Sequence, residues 1–254
     1  MPAALGETEI LETVRVTRST DRVVVELARP EVRNALSERM VDELHLLCAE
    51  LEVAPKILVL TGSNGVFASG ADIAELRDRT SADALKGINT MLFLRVAELP
   101  MPVIAAVDGY ALGGGAELAY AADFRIGTPR AKFGNPETGL GIVAAAGALW
   151  RLRELVGEPL AKEMLLAGRI LDADESLAAG LLTRVVAAEE LLATAHELAN
   201  DVASKSLAAT IATKSLLRVD RGRHPQADLE AQGVLFDSDE KRRRMTEFLE
   251  RRPK

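Results

Sequence analysis

A glutamate follows closely on three consecutive glycines in the run Gly113-Gly114-Gly115-Ala116-Glu117. Three adjacent residues without a Cβ let the main chain bend sharply and let a ligand approach it closely. If a helix starts here, its opening N–H groups have no partner inside the helix, and its dipole favours negative charge. Such a turn can hold a phosphate, a carboxylate or a developing oxyanion. A carboxylate carried to the same spot suits acid–base chemistry better than a phosphate cradle. The residues alone leave a second reading open: a glycine-rich packing turn whose glutamate complements the helix dipole.

The flanking sequence says what must position this turn. Before it, residues 101–107 form a short apolar run with prolines at 100 and 102, the pattern of a buried strand. After it, residues 116–122 are good helix formers without a breaker. A second glycine-bearing strand-to-helix turn is expected at Phe67-Ala68-Ser69-Gly70-Ala71-Asp72-Ile73, behind a buried strand at 57–60. Upstream, alternation at 13–17 and the β-branched stretch 23–27 predict a hairpin across 19–22. Ser37 is placed to cap a helix with Met40, Val41, Leu44, Leu47, Cys48 and Leu51 at helical spacing. Downstream, the spacing predicts a strand at 123–127, a loop at 133–141 and helix from about 145. Gly157 and Pro159 mark the boundary between two helices. A short helix at 173–179 and a strand at 181–186 follow. From 189 onward every segment reads as helix, the last over 239–251. Strands interleaved with helices, then a helical tail, define an α/β core with an extension.

Composition narrows the function classes. A chain of 254 residues with 48% hydrophobic and 27% charged residues can bury a substantial core. The formal charge of −7 argues against general nucleic-acid or acidic-membrane binding. The single cysteine, Cys48, rules out an internal disulfide framework and a cysteine-rich metal site, and its helical context predicts a buried, inert thiol. His45, His196 and His224 show no ligand spacing, which leaves metal catalysis and a Ser-His-Asp triad without support. No apolar run reaches membrane-spanning length and residues 1–10 do not read as a signal peptide, so a cytoplasmic location is expected.

Three motifs in order carry a resemblance. They are the run 67–73 above, then Pro102-Val103-Ile104-Ala105-Ala106-Val107-Asp108-Gly109-Tyr110-Ala111-Leu112 leading into the triple glycine, then Phe133-Gly134-Asn135-Pro136-Glu137. Together they resemble the crotonase, or enoyl-CoA hydratase/isomerase, superfamily from residue 14 to residue 252. The resemblance implies an α/β fold, a crotonase-like spiral of ββα units over 1–188, with a helical C-terminal trimerisation region over 189–254. It implies a homotrimer or dimer of trimers acting on an acyl-CoA thioester, with no cofactor beyond the coenzyme A of the substrate. Carried onto this chain, the oxyanion hole falls on the N–H groups of Ala71 and Gly114. Gly70, Asp72 and Ile73 would lie with Ala71 against the pantetheine and adenine. Glu117 is the implied base that activates water for attack at the β-carbon, and Glu137 the implied proton donor to the α-carbon. Arg33 is the implied partner for coenzyme A phosphate, and Phe236 matches an aromatic near a neighbouring subunit's coenzyme A.

The resemblance implies hydration of a 2-enoyl thioester. Double-bond isomerisation is the runner-up; it needs the same oxyanion hole but only one well-placed base. Ring isomerisation, hydrolysis, decarboxylation and silent acyl-CoA binding are further alternatives. The acyl pocket is expected around Ile73, Leu76, Leu140, Ile142 and Val143. One segment departs from the family: Ile142-Val143-Ala144-Ala145-Ala146-Gly147-Ala148-Leu149-Trp150 replaces a glycine-rich run. Ala145 stands where the family has a glycine whose N–H helps hold the reacting water. Alanine keeps that N–H. Trp150 is expected to pack on the helix that follows. The run Lys241-Arg242-Arg243-Arg244, offset by nearby acids, reads as a solvated helix face.

Overall fold

The opening residues alternate, and they pair. In the computed structural model, which describes residues 6–250, β1 (Thr8–Ile10), β2 (Val14–Arg18) and β3 (Arg22–Leu27) form an antiparallel meander. Ser37 then caps α1 (Glu38–Val53), its side-chain oxygen accepting the Met40 N–H at 3.3 Å. The six apolar positions expected on that helix are all buried. Among them is Cys48, whose thiol burial pushes up to about 12, as an inert packing residue requires.

From there the sheet turns parallel. β4 (Ile57–Gly62) lies beside β3 with Leu60 opposite Val25, and α2 (Ile73–Asp78), α3 (Ser81–Lys86) and α4 (Ile88–Glu98) precede β5 (Val103–Val107). Every residue of β5 is buried. Parallel strands covered on both faces lose the alternation of half-exposed strands, hence the unbroken apolar run. β6 (Tyr110–Leu112) leads into α5 (Gly114–Ala121), then β7 (Phe124–Gly127) and β8 (Lys132–Gly134). After these come α6 (Arg153–Val156), α7 (Glu158–Ala167), α8 (Ala173–Ala178) and β9 (Arg184–Val185). The main sheet has seven strands in the order β1-β2-β3-β4-β5-β7-β9, and β6 pairs with β8 in a separate parallel pair. The fold is therefore α/β with a mostly parallel sheet.

Three expectations need adjustment. The strand at 181–186 is only β9; the Leu182 N–H is given to Ser176 O of α8 at 3.0 Å rather than to a neighbouring strand. The loop at 133–141 contains β8 and a 3-10 turn, Glu137–Leu140. The helix expected from 145 begins as a π-helix, Ala148–Leu152, behind Gly147.

The helical tail comprises α9 (Leu191–Ala203), α10 (Leu207–Leu216), α11 (Gln226–Phe236) and α12 (Asp239–Glu250); residues 251 and 252 lie outside the described residues. Two compact units part after Asn200 rather than at 188–189. The reason is α9. It buries Leu191, Ala195 and Ala199, and the buried Arg22 guanidinium donates to His196 O at 2.9 Å and to the Asn200 side chain. The second unit, taken by itself, is tied by polar contacts: Ser206 donates to Glu240, and Arg244 reaches the Ser204 carbonyl. No described side chain of α11 or α12 is buried. Arg243 and Arg244 pair with Glu247 and Glu240 on the solvated face of α12.

Candidate active site

The triple glycine is a strand-to-helix turn, and the helix starts earlier than its apolar residues suggest, at Gly114. Gly113 has φ +50° and donates its N–H to Gly134 O at 2.8 Å. A Cβ on Gly115 would stand 2.3 Å from the Ala68 carbonyl oxygen, so only glycine lets α5 lie this close to the segment after β4. The second turn meets the first. A Cβ on Gly114 would stand 3.5 Å from Ala71 N, and one on Gly70 would stand 3.8 Å from Gly114 N. Neither the Ala71 nor the Gly114 N–H has a main-chain acceptor among the described residues. Leu36 bridges across Ala71 through Gly70 O and the Asp72 N–H, and Gly114 is the first residue of α5.

Both turns open on one cleft of about 560 Å³, lined by Gly70, Ala71, Gly114, Glu117 and Glu137 together. Ile73, Leu76, Leu140, Ile142 and Val143 line it as well, so all five expected acyl-pocket positions share that wall space. Asp72 and Arg33 do not line it. The Asp72 carboxylate is used elsewhere, accepting the Ala74 N–H at the start of α2 and pairing with Arg29 at 3.1 Å. Arg33 is exposed with φ +54°, and its carbonyl accepts the N–H of Ser69, a residue of the cleft wall. Trp150 is also outside the cleft and part-exposed, with the Arg151 guanidinium over its ring.

Glu117 is 3% exposed on a helix buried throughout. Its Oε1 accepts two main-chain N–H groups, Ala146 at 2.8 Å and Ala148 at 3.1 Å. Gly147 between them has φ +137°, which turns both donors onto one oxygen. Burial pushes the Glu117 carboxyl up to about 7; the Ala148 and Ala146 donors oppose the shift and the nearby Glu137 adds to it. The departing alanine segment is thus the holder of Glu117. Ala145 itself bonds through its carbonyl, which accepts the Thr90 hydroxyl at 3.2 Å.

Glu137 opens the 3-10 turn and is 8% exposed. Its Oε1 lies 3.2 Å from where a Cβ on Gly113 would stand, and accepts Asn135 Nδ2 at 3.4 Å. Asn135 Oδ1 in turn accepts the Tyr120 hydroxyl at 3.0 Å, with Tyr120 stacked on Phe133. Glu137 Oε2 is buried and has no hydrogen-bond partner among the described residues. Burial raises the Glu137 carboxyl above the usual range.

Sequence reasoning missed Ala146, Ala148, Asn135, Tyr120 and Asn89. Asn135 had a signal, its place inside the third motif. The main-chain donors had none, because every residue type but proline has an N–H.

Two buried carboxylates of raised pKa beside a pair of uncommitted main-chain donors make a site for moving protons around a carbonyl whose oxygen gains charge. Residues 19–254 match the enoyl-CoA hydratase/isomerase family. The chain is 36% identical to the short-chain-enoyl-CoA hydratase of Clostridium acetobutylicum, over 95% of this chain and 96% of that one. It is 34% identical to the crotonyl-CoA hydratase of Syntrophomonas wolfei, again over 95% and 96%. The crystal structure of an enoyl-CoA hydratase from Bacillus anthracis superimposes with a TM-score of 0.90 at 31% identity, over 95% of this chain and 97% of that one. The chain belongs to the enoyl-CoA hydratase/isomerase family.

Proposed function

We propose that the protein is an enoyl-CoA hydratase, adding water reversibly across the double bond of a 2-enoyl-CoA thioester. The observation that carries this reading is the pairing of Glu117 and Glu137 in one cleft with Ala71 and Gly114. Hydration needs a base for water and an acid for the α-carbon. Glu117, held by two donors that favour its ionised form, takes a proton from water as the oxygen bonds to the β-carbon. The electron pair of the double bond moves onto the thioester oxygen, where the Ala71 and Gly114 N–H groups stabilise it; one such donor is worth about 3–4 kcal/mol. The enolate collapses and the α-carbon takes the proton of Glu137. The reaction is not a redox step, and the reading requires no cofactor beyond the coenzyme A that the substrate carries.

Gly70 and Ile73 contribute to the thioester and acyl wall, and Asp72 acts one step back by fixing the α2 start. Arg33, at the rim beside Ser69, is the candidate cation for a coenzyme A phosphate. In this reading the protein is cytoplasmic; none of the described helices is long and apolar enough to cross a membrane. The second unit mediates trimer or hexamer formation, since Leu217, Val234, Phe248 and Leu249 are all exposed on it. Light scattering at micromolar concentration should report three or six copies; a monomer would count against the assembly.

The deciding experiment is product analysis with 2-enoyl and 3-enoyl thioesters of several lengths. A 3-hydroxyacyl product supports the reading. Migration of the double bond without uptake of water would replace it with isomerisation, and binding without turnover of any thioester would leave an acyl-CoA-binding protein.

A further inference from the structure

Asn89 is the second residue of α4, and its side chain lines the cleft. It does no work for the helix: α4 begins behind Gly87 without a side-chain cap. Its Oδ1 is buried and has no hydrogen-bond partner among the described residues. The amide nitrogen lies beside the meeting place of the two turns. The position of a Cβ on Gly114 is 3.4 Å from Asn89 Nδ2 and 3.5 Å from Ala71 N. The side-chain amide, the Ala71 main chain and the start of α5 therefore border the same small space.

We propose that Asn89 is a third donor of the oxyanion hole, its Nδ2 hydrogen-bonding the thioester oxygen alongside the Ala71 and Gly114 N–H groups. This rests on the enolate chemistry proposed above. A carbonyl oxygen has two lone pairs and, as an enolate, more negative charge to distribute. A donor fixed on a packed helix stabilises that charge without reorganising. Helix α4 is suited to this: Leu92, Phe93, Val96 and Ala97 are buried one turn and more beyond Asn89 and hold the helix in place. Thr90, the next residue, ties α4 through Ala145 O to the segment that holds Glu117. The donor and the base are thereby mounted on connected supports.

The test is vibrational spectroscopy of a bound, isotopically labelled thioester carbonyl, with kinetics, in the wild type, Asn89→Leu and Asn89→Asp. Leu removes the donor, and Asp keeps the shape but presents only acceptors. Binding of a saturated acyl-CoA serves as the check on folding and cleft integrity. The expected result is a carbonyl stretch shifted to lower frequency in the wild type and less shifted in both variants. kcat should fall by about 10²-fold, the usual effect of one such donor, with affinity for the saturated thioester largely kept. An unchanged carbonyl frequency in variants that bind normally would overturn the inference and leave hydration intact. So would a loss confined to thioesters with polar acyl groups. A wild-type carbonyl that is not shifted at all would overturn the proposed chemistry and this inference together.

Discussion

Glu117 and Glu137 are the same side chain on different supports. Glu117 sits inside a buried helix, and two N–H groups from a segment some thirty residues away converge on one of its oxygens. Glu137 sits in a one-turn 3-10 helix, with one long side-chain hydrogen bond from Asn135 and a buried oxygen that has no partner among the described residues. Burial raises both carboxyls. At Glu117 the donors partly oppose burial, so the ionised form can persist near neutral pH, as a base requires. At Glu137 burial raises the carboxyl too, and it is opposed by hydrogen bonds from the residue's own backbone and from Asn135. The two groups share burial and differ in what holds them: two converging main-chain donors at Glu117, an asparagine side chain at Glu137.

The largest effects should come from the carboxylates themselves. Glu117→Gln and Glu137→Gln should each lower hydration by roughly 10²–10⁴-fold while leaving binding of a non-reactive acyl-CoA nearly unchanged. The double variant should be scarcely worse than the poorer single one, since the two act in one step. A mild effect at one glutamate, with 3-enoyl isomerisation as the main wild-type reaction, breaks the division of labour.

Acidity sharpens the contrast. Glu117 ordinarily titrates at 4.5 and is pushed up to about 7 in the fold. Between those values the unfolded chain has lost this proton and the folded chain keeps it, so stability falls as pH rises through the window. The contribution is on the order of 3 kcal/mol, and urea unfolding of Glu117→Gln against wild type between pH 4.5 and 7 reads it. The same group should give kcat/KM a rising limb near pH 7 that the variant lacks. If the two proteins show parallel stability profiles, Glu117 titrates normally.

Changes to the supports should cost less. Gly147→Ala puts a side chain at φ +137° and 3.2 Å from Arg151 Nε, a strain of about 1–3 kcal/mol. It should also turn the Ala146 and Ala148 donors off Glu117 and move the pH limb upward. A thermal melt and a pH profile check both, and an unmoved limb would detach that segment from Glu117. Asn135→Leu should be the smallest. It strands the Tyr120 hydroxyl at a cost of about 1–3 kcal/mol and, with only one weak bond to Glu137 lost, should reduce turnover no more than several-fold. A loss as large as that of Glu137→Gln would make Asn135 far more than a support.

Much of this was legible in the residues. The apolar runs of β4 and β5 and the spacing on α1 mark the core, because periodicity and burial are two views of one constraint. The triple glycine and Glu117 locate a turn, since a missing Cβ is itself a statement about the backbone. Ordered motifs also bring Glu137 and Ala71 into one family pattern. What the sequence could not decide were contacts between main-chain atoms distant in the chain. Every residue type but proline has an N–H, so nothing marks Ala146 and Ala148 as the donors to Glu117. Nor does the motif around Asp72 say that its carboxylate pairs with Arg29 and accepts the N–H at the start of α2. The tail boundary moved to Asn200 because the burial of α9 depends on which face meets the core. Local pattern determines which elements form and which side chains are present; only their assembly decides which donor meets which acceptor, and with that the acidity of each glutamate.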